Sequence, residues 1–280
     1  LYLYIALLEI AVVKRYFATS SNPYLSVLRY FRKYWQLVVS NFFYTLGLYI
    51  HNFVFWTTDM KLVLVRTFVC NQPYDMATCL AMFTNLSATV IFITRVEMHF
   101  HEKYKGYSEA VIGGKGADID TAKREMFRQL SAELVNLMRI QFIITSVVYL
   151  LCVVFLPRFG ISWLTIRSYS CLVAGYFILF IMYSEIIFLY YFNDLTGAAL
   201  TAVSFCLVTF LGSLFATHLS ELWYGIGLVM GAFTGWTVAY FRLRYMERHL
   251  DAHIFCKGSI LKPGMGTQPP GKVYDRAAQN

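Results

Sequence analysis

Apolar residues run through this chain in long blocks separated by short polar connections. A bilayer core takes about 20 apolar residues per helix, with a range of about 17–25. Seven segments meet that length wholly or in part: residues 1–13, 34–57, 76–94, 140–156, 171–192, 195–217 and 222–241. The first is short and reads as the tail of a longer helix, so the natural chain is expected to continue upstream of Leu1. In the second, Trp35 and Trp56 lie about 31 Å apart at 1.5 Å per residue, the spacing of two aromatic belts. Within the long connection 95–139, Ala122, Met126, Leu130, Leu134 and Leu137 recur at three- and four-residue steps. That period predicts a helix, capped by Asp120, running on into the fourth span. Residues 104–118 are polar and glycine-bearing, which predicts a loop. The pattern gives an all-α polytopic membrane helix bundle of about seven transmembrane helices over residues 1–256. Residues 95–139 form its amphipathic segment, and the Gly/Pro-rich residues 257–280 are expected to be disordered.

Composition narrows the class. Of the 280 residues, 58% are hydrophobic and only 14% charged, against about 45–50% and about 25% in soluble domains. A soluble enzyme, a disordered chain and a disulfide scaffold are excluded. The net charge of +8 would suit nucleic acid, but the placement of the charges points elsewhere. All 24 Lys and Arg residues fall in connections, and twenty of them fall on alternate ones. Basic connections mark the cytoplasmic side. The segment 95–139 and the C-terminus are therefore expected in the cytoplasm, with residue 1 on the outer side.

Polar residues inside spans are costly and are functional candidates by default. Glu185 is the clearest, and Asn41, His51, Asn52 and Asn85 are further ones. Each has a plainer role open to it, as a hydrogen bond between helices. Phe42, Tyr49 and Trp56 lie at seven-residue steps near one helix face and either stack on substrate or simply pack. The apolar stripe of Met126, Leu130 and Leu134 suits either an interfacial helix or a docking surface for a cytoplasmic partner. Gly227, Gly231 and Gly235 form a close-packing seam.

Weaker signals read as structure. Gly113-Gly114-Lys115-Gly116 lacks the spacing and the preceding strand of a phosphate loop. Cys70 and Cys79 flank an outer connection and could form a disulfide in an oxidising periplasm. His249, His253 and Cys256 share a possible helix face, and Glu97, His99 and His101 alternate past the third span. Both sets suit an interface as well as a metal. No nucleophile–base pair, paired carboxylates or Asp-rich metal motif stands out, so no catalytic residue, metal or cofactor is assigned.

Five stretches together carry a resemblance: GLYIHNFVFWTT at 47–58, RVEMHF at 95–100, RIQFIIT at 139–145, YYFND at 190–194 and YFRLRYMERHLDAHIFC at 240–256. In order and spacing they resemble the Pel exopolysaccharide transporter family, the PelG-like branch of the flippase superfamily that includes MATE-type exporters. The resemblance implies the C-terminal part of a twelve-span transporter in two six-helix halves, with both termini cytoplasmic. It implies export of an amino-sugar-rich polysaccharide during biofilm matrix production. Implied partners are that polymer, a cytoplasmic glycosyltransferase and membrane proteins that sense cyclic di-GMP. Other flippase-type exporters of drugs or lipid-linked oligosaccharides, and a non-transporting scaffold for a synthase, are the alternatives.

Overall fold

The computed structural model describes residues 2–16, 24–65, 68–92 and 98–257. Among them are nine α-helices and one β-hairpin. In chain order they are α1 (Tyr2–Tyr16), α2 (Tyr24–Lys33), α3 (Trp35–Phe55), β1 (Leu62–Val65), β2 (Phe68–Cys70) and α4 (Gln72–Ile91). Then follow α5 (Met98–Gly113), α6 (Gly116–Phe155), α7 (Trp163–Tyr191), α8 (Leu195–Ala216) and α9 (Ile226–Lys257). In a hydrocarbon core only helices and closed barrels satisfy every backbone group, so the apolar blocks become helices.

Among the described residues, five helical stretches are long and apolar enough to cross a membrane: Trp35–Phe55, Gly116–Phe159, Trp163–Tyr191, Leu195–Ala216 and Glu221–Leu250. The protein is a multi-pass membrane protein. The two other expected spans fall on α1, of 15 residues, and on α4, of 20. The antiparallel hairpin, with Leu62 opposite Cys70, had no place in the expected helix pattern. The valines of its strands, LVLV and FVC, are β-branched and favour extended chain.

α7 is the central helix. It packs on α4 on one side and on α9 on the other, while α3 reaches the bundle through α8. The glycine seam of α9 faces α8. A Cβ on Gly231 would fall on the Thr209 hydroxyl, and one on Gly227 on Ser213. Gly47 of α3 gives the same close approach to Phe205 and Cys206 of α8.

The long connection differs from its expectation. Residues 104–113 are helical rather than a loop, and only Gly114 and Lys115 separate α5 from α6. α6 begins at Gly116, and its first turn is closed by Asp118, not Asp120: the Lys115 backbone N–H donates to the Asp118 carboxylate at 3.0 Å. It then continues unbroken for 40 residues, about 60 Å at 1.5 Å per residue.

Contacts sort the connections onto two ends of the bundle. Gln36 donates to Thr196, Phe100 packs edge-on against Phe192, and Arg242 pairs with Asp194 at one end. At the other, Phe55 stacks on Tyr74 and packs on Tyr224, and Arg167 pairs with Glu221. The alternation read from the charge pattern is thus reproduced in space. The disordered tail expected from sequence lies, apart from Lys257, outside the described residues.

Candidate functional site within the membrane helices

A cleft of about 310 Å³ opens between α3, α4 and α7, lined by Tyr44, Leu48, Met82, Asn85, Tyr176, Leu179, Phe180 and Tyr183. It lies near the middle of α7. Tyr44 stacks on Tyr183 with ring centroids 5.1 Å apart, forming one wall. Asn85 is held rigidly: its amide donates to the Ala81 carbonyl at 3.0 Å and accepts from Gln141 Nε2 at 2.8 Å. Gln141 also donates to Thr145. The Tyr176 hydroxyl is buried and has no hydrogen-bond partner among the described residues.

Two of these tyrosines belong to a longer series on α7: Tyr169, Tyr176, Tyr183 and Tyr190, each seven residues on. Seven residues are close to two turns, so the rings climb one face with a slow drift, about 10 Å per rung. Above and below the cleft the rungs are closed. The Tyr169 hydroxyl pairs with Thr84 at 3.0 Å and that of Tyr190 with Ser40 at 2.8 Å. The cleft is where the ladder is open.

At the end carrying the hairpin, a polar network ties α3 to α4. His51 Nδ1 pairs with the Tyr74 hydroxyl at 2.9 Å, and its Nε2 has no partner among the described residues. Asn52 donates to Asp75 at 2.7 Å and, more weakly, to Thr78; the Trp56 indole donates to the same carboxylate at 2.9 Å. The Asn71 backbone N–H donates to Asp75 too, while Asn71 accepts from the Tyr74 N–H. A carboxylate in the first turn of α4 also suits the positive end of the helix dipole.

Glu185 is buried on another face of α7. One oxygen accepts from the Trp236 indole of α9 at 3.1 Å, and the other has no partner among the described residues. At the opposite end, Asp194 caps α8 by accepting from the Gly197 N–H. Arg242 of α9 grips the same carboxylate with two hydrogen bonds, of 2.9 and 2.8 Å. The turn before Asp194 carries Asn193 at φ +56°, which Asn tolerates better than most residues.

A family model described as "PelG: Putative exopolysaccharide Exporter (EPS-E)" matches residues 2–255. The chain belongs to the PelG family. No curated protein and no solved structure matches it. Several stretches that carried the resemblance meet in the PelG-type fold just described. YYFND and the segment from Tyr240 join in the Asp194–Arg242 pair, and RIQFIIT supplies the glutamine that fixes Asn85.

The structure distributes the sequence candidates unevenly. Asn85 lines the cleft, and His51 stands behind it with its ring 6.3 Å from that of Tyr176. Asn52 and Trp56 belong to the Asp75 network. Asn41 is exposed and donates to Leu37 in its own helix. Phe42 and Tyr49 are exposed, 60% and 42%, and do not line the cleft. The inward face of α3 is instead Tyr44, Leu48, His51 and Phe55, at the three- and four-residue steps that a helix buries.

Met126 and Leu130 are buried and Leu134 partly so, within the chain's own core. Phe127 stacks on Phe192, and Phe100 of α5 packs against Phe188 and Tyr191. The stripe expected to lie on lipid or a partner is instead part of the chain's own core.

Cys70 and Cys79 are free thiols. No group of three or more metal-binding side chains occurs among the described residues. His99 and His101 are exposed, His99 Nδ1 lying 3.3 Å from Glu133. Glu97 lies outside the described residues.

Tyr44, Tyr176, Tyr183, Asp75, Asp194 and Arg242 were not singled out from sequence. The heptad spacing of the α7 tyrosines was the available signal for two of them.

Proposed function

We propose that this protein moves an exopolysaccharide of the Pel type across the bacterial inner membrane, and that the cleft between α3, α4 and α7 lies on the polymer's path. The observation that supports this reading is an aromatic cleft with a fixed amide, midway along a membrane-crossing helix, in a member of an exporter family. Aromatic walls with a few placed polar groups make a ligand site, since the rings bury area and the polar groups orient. The end that gathers the basic connections, with the α5–α6 hairpin and the C-terminal part of α9, faces the cytoplasm in this reading. There the hairpin meets the glycosyltransferase and the cyclic di-GMP-sensing proteins that supply and regulate the polymer. The protein itself makes and breaks no bond.

The test is polymer distribution in cells lacking the protein. Surface polysaccharide should vanish on deletion, while membranes from those cells still elongate the polymer from activated sugar. Loss of elongation in the same membranes would favour a scaffold for the synthase.

A further inference from the structure

We propose that the cleft holds one uncharged pyranose ring of the polymer, at the level of Tyr176 and Tyr183, and discriminates against a ring bearing a free ammonium group. This rests on the exporter reading above.

Size, walls and charge carry the proposal. A volume of about 310 Å³ is about ten times the share of one water, about 30 Å³, and suits a single substituted ring. Tyr44, Tyr176, Phe180 and Tyr183 offer aromatic surface to the apolar C–H faces of such a ring. Asn85 spends one amide hydrogen on Ala81 and one lone pair on Gln141. It keeps one hydrogen and one lone pair for a ligand.

Among the described residues, no Asp, Glu, Lys, Arg or His lines the cleft. Glu185 sits on another face of α7 and is engaged by Trp236 of α9. An ammonium group entering would leave water for a site without a counter-charge, a strongly unfavourable transfer. Cation–π attraction recovers only part of it. A neutral or N-acylated ring meets no such penalty.

The experiment is calorimetric titration of the full-length protein in lipid nanodiscs with three tetrasaccharides. These are the tetramers of N-acetylglucosamine, glucose and glucosamine, at about pH 6, where the amines are protonated. The first two should bind, and the glucosamine tetramer about tenfold more weakly or less. Tyr44→Ala and Tyr183→Ala should each weaken binding of the neutral tetramers about tenfold. Phe42→Ala should leave it unchanged. Equal or tighter binding of the glucosamine tetramer overturns the proposal. So does a wild-type protein that binds none of the three, or tyrosine variants that bind as the wild type does. Polymer export from cells separates the two readings. Export that stops on deletion but survives the cleft variants overturns the cleft and leaves the exporter standing. Export that survives deletion removes the exporter reading itself.

Discussion

Asp75 accepts from Asn52, from Trp56 and from the Asn71 backbone, so one carboxylate joins α3, α4 and the residue that opens α4. Replacing it leaves those donors facing each other without an acceptor, at about 1–3 kcal/mol for each that stays unsatisfied. Asp75→Ala should therefore lower the melting temperature in detergent clearly, and Asp75→Asn less, since an amide still accepts one hydrogen bond. The Asp194–Arg242 pair is a sharper case, because Asp194 is only 3% exposed. Removing Arg242 leaves a buried charge unpaired, a loss of about 3–5 kcal/mol. Arg242→Lys should recover part of that, since a single ammonium cannot reproduce the two-pronged contact. Thermal unfolding of both variants checks the order: wild type, then Lys, then Ala. Glu185 differs again. Among the described residues it has one indole donor and no cation, so Glu185→Gln should preserve fold and protein level. A change in export with protein level intact would give this carboxyl a role beyond packing.

At the scale of elements, α9 approaches α8 through glycine. Gly231→Val would set its branched side chain against Thr209 and the Phe205 carbonyl. Overpacking of this kind costs about 1–3 kcal/mol. The variant should run as an aggregated species on size exclusion, while Gly106→Val, at a glycine with open space around it, should run as the wild type does. This seam was legible in the sequence because a four-residue glycine step has one structural meaning in a membrane helix. The cores of the spans were legible for the same reason, through apolar length. What stayed hidden depends on pairing between helices. Tyr49 and Tyr44 are chemically alike and on one helix, and only the position of α8 and α7 decides that Tyr44 faces inward. The segment around Lys115 was hidden for a different reason. Its glycines suggested a loop, but they confine the break to a single turn between two helices. On the second helix of the resulting hairpin, Met126 and Leu130 are buried in the chain's own core.

For the whole molecule, the contacts that join Gln36 to Thr196 and Arg242 to Asp194 gather the basic connections at one end. Reporter fusions after Lys115 and Lys257 should read cytoplasmic, and one after Gln72 periplasmic. A periplasmic signal at Lys115 would invert the arrangement and with it the direction of export. The central claim is that the polymer passes the cleft between α3, α4 and α7. Its most direct test is surface polysaccharide from cells carrying the Tyr44→Ala/Tyr183→Ala double variant, beside Phe42→Ala, at matched membrane protein levels. The cleft variant should lose surface polymer and accumulate it inside, while Phe42→Ala should secrete as the wild type does. Normal secretion by the double variant would contradict it.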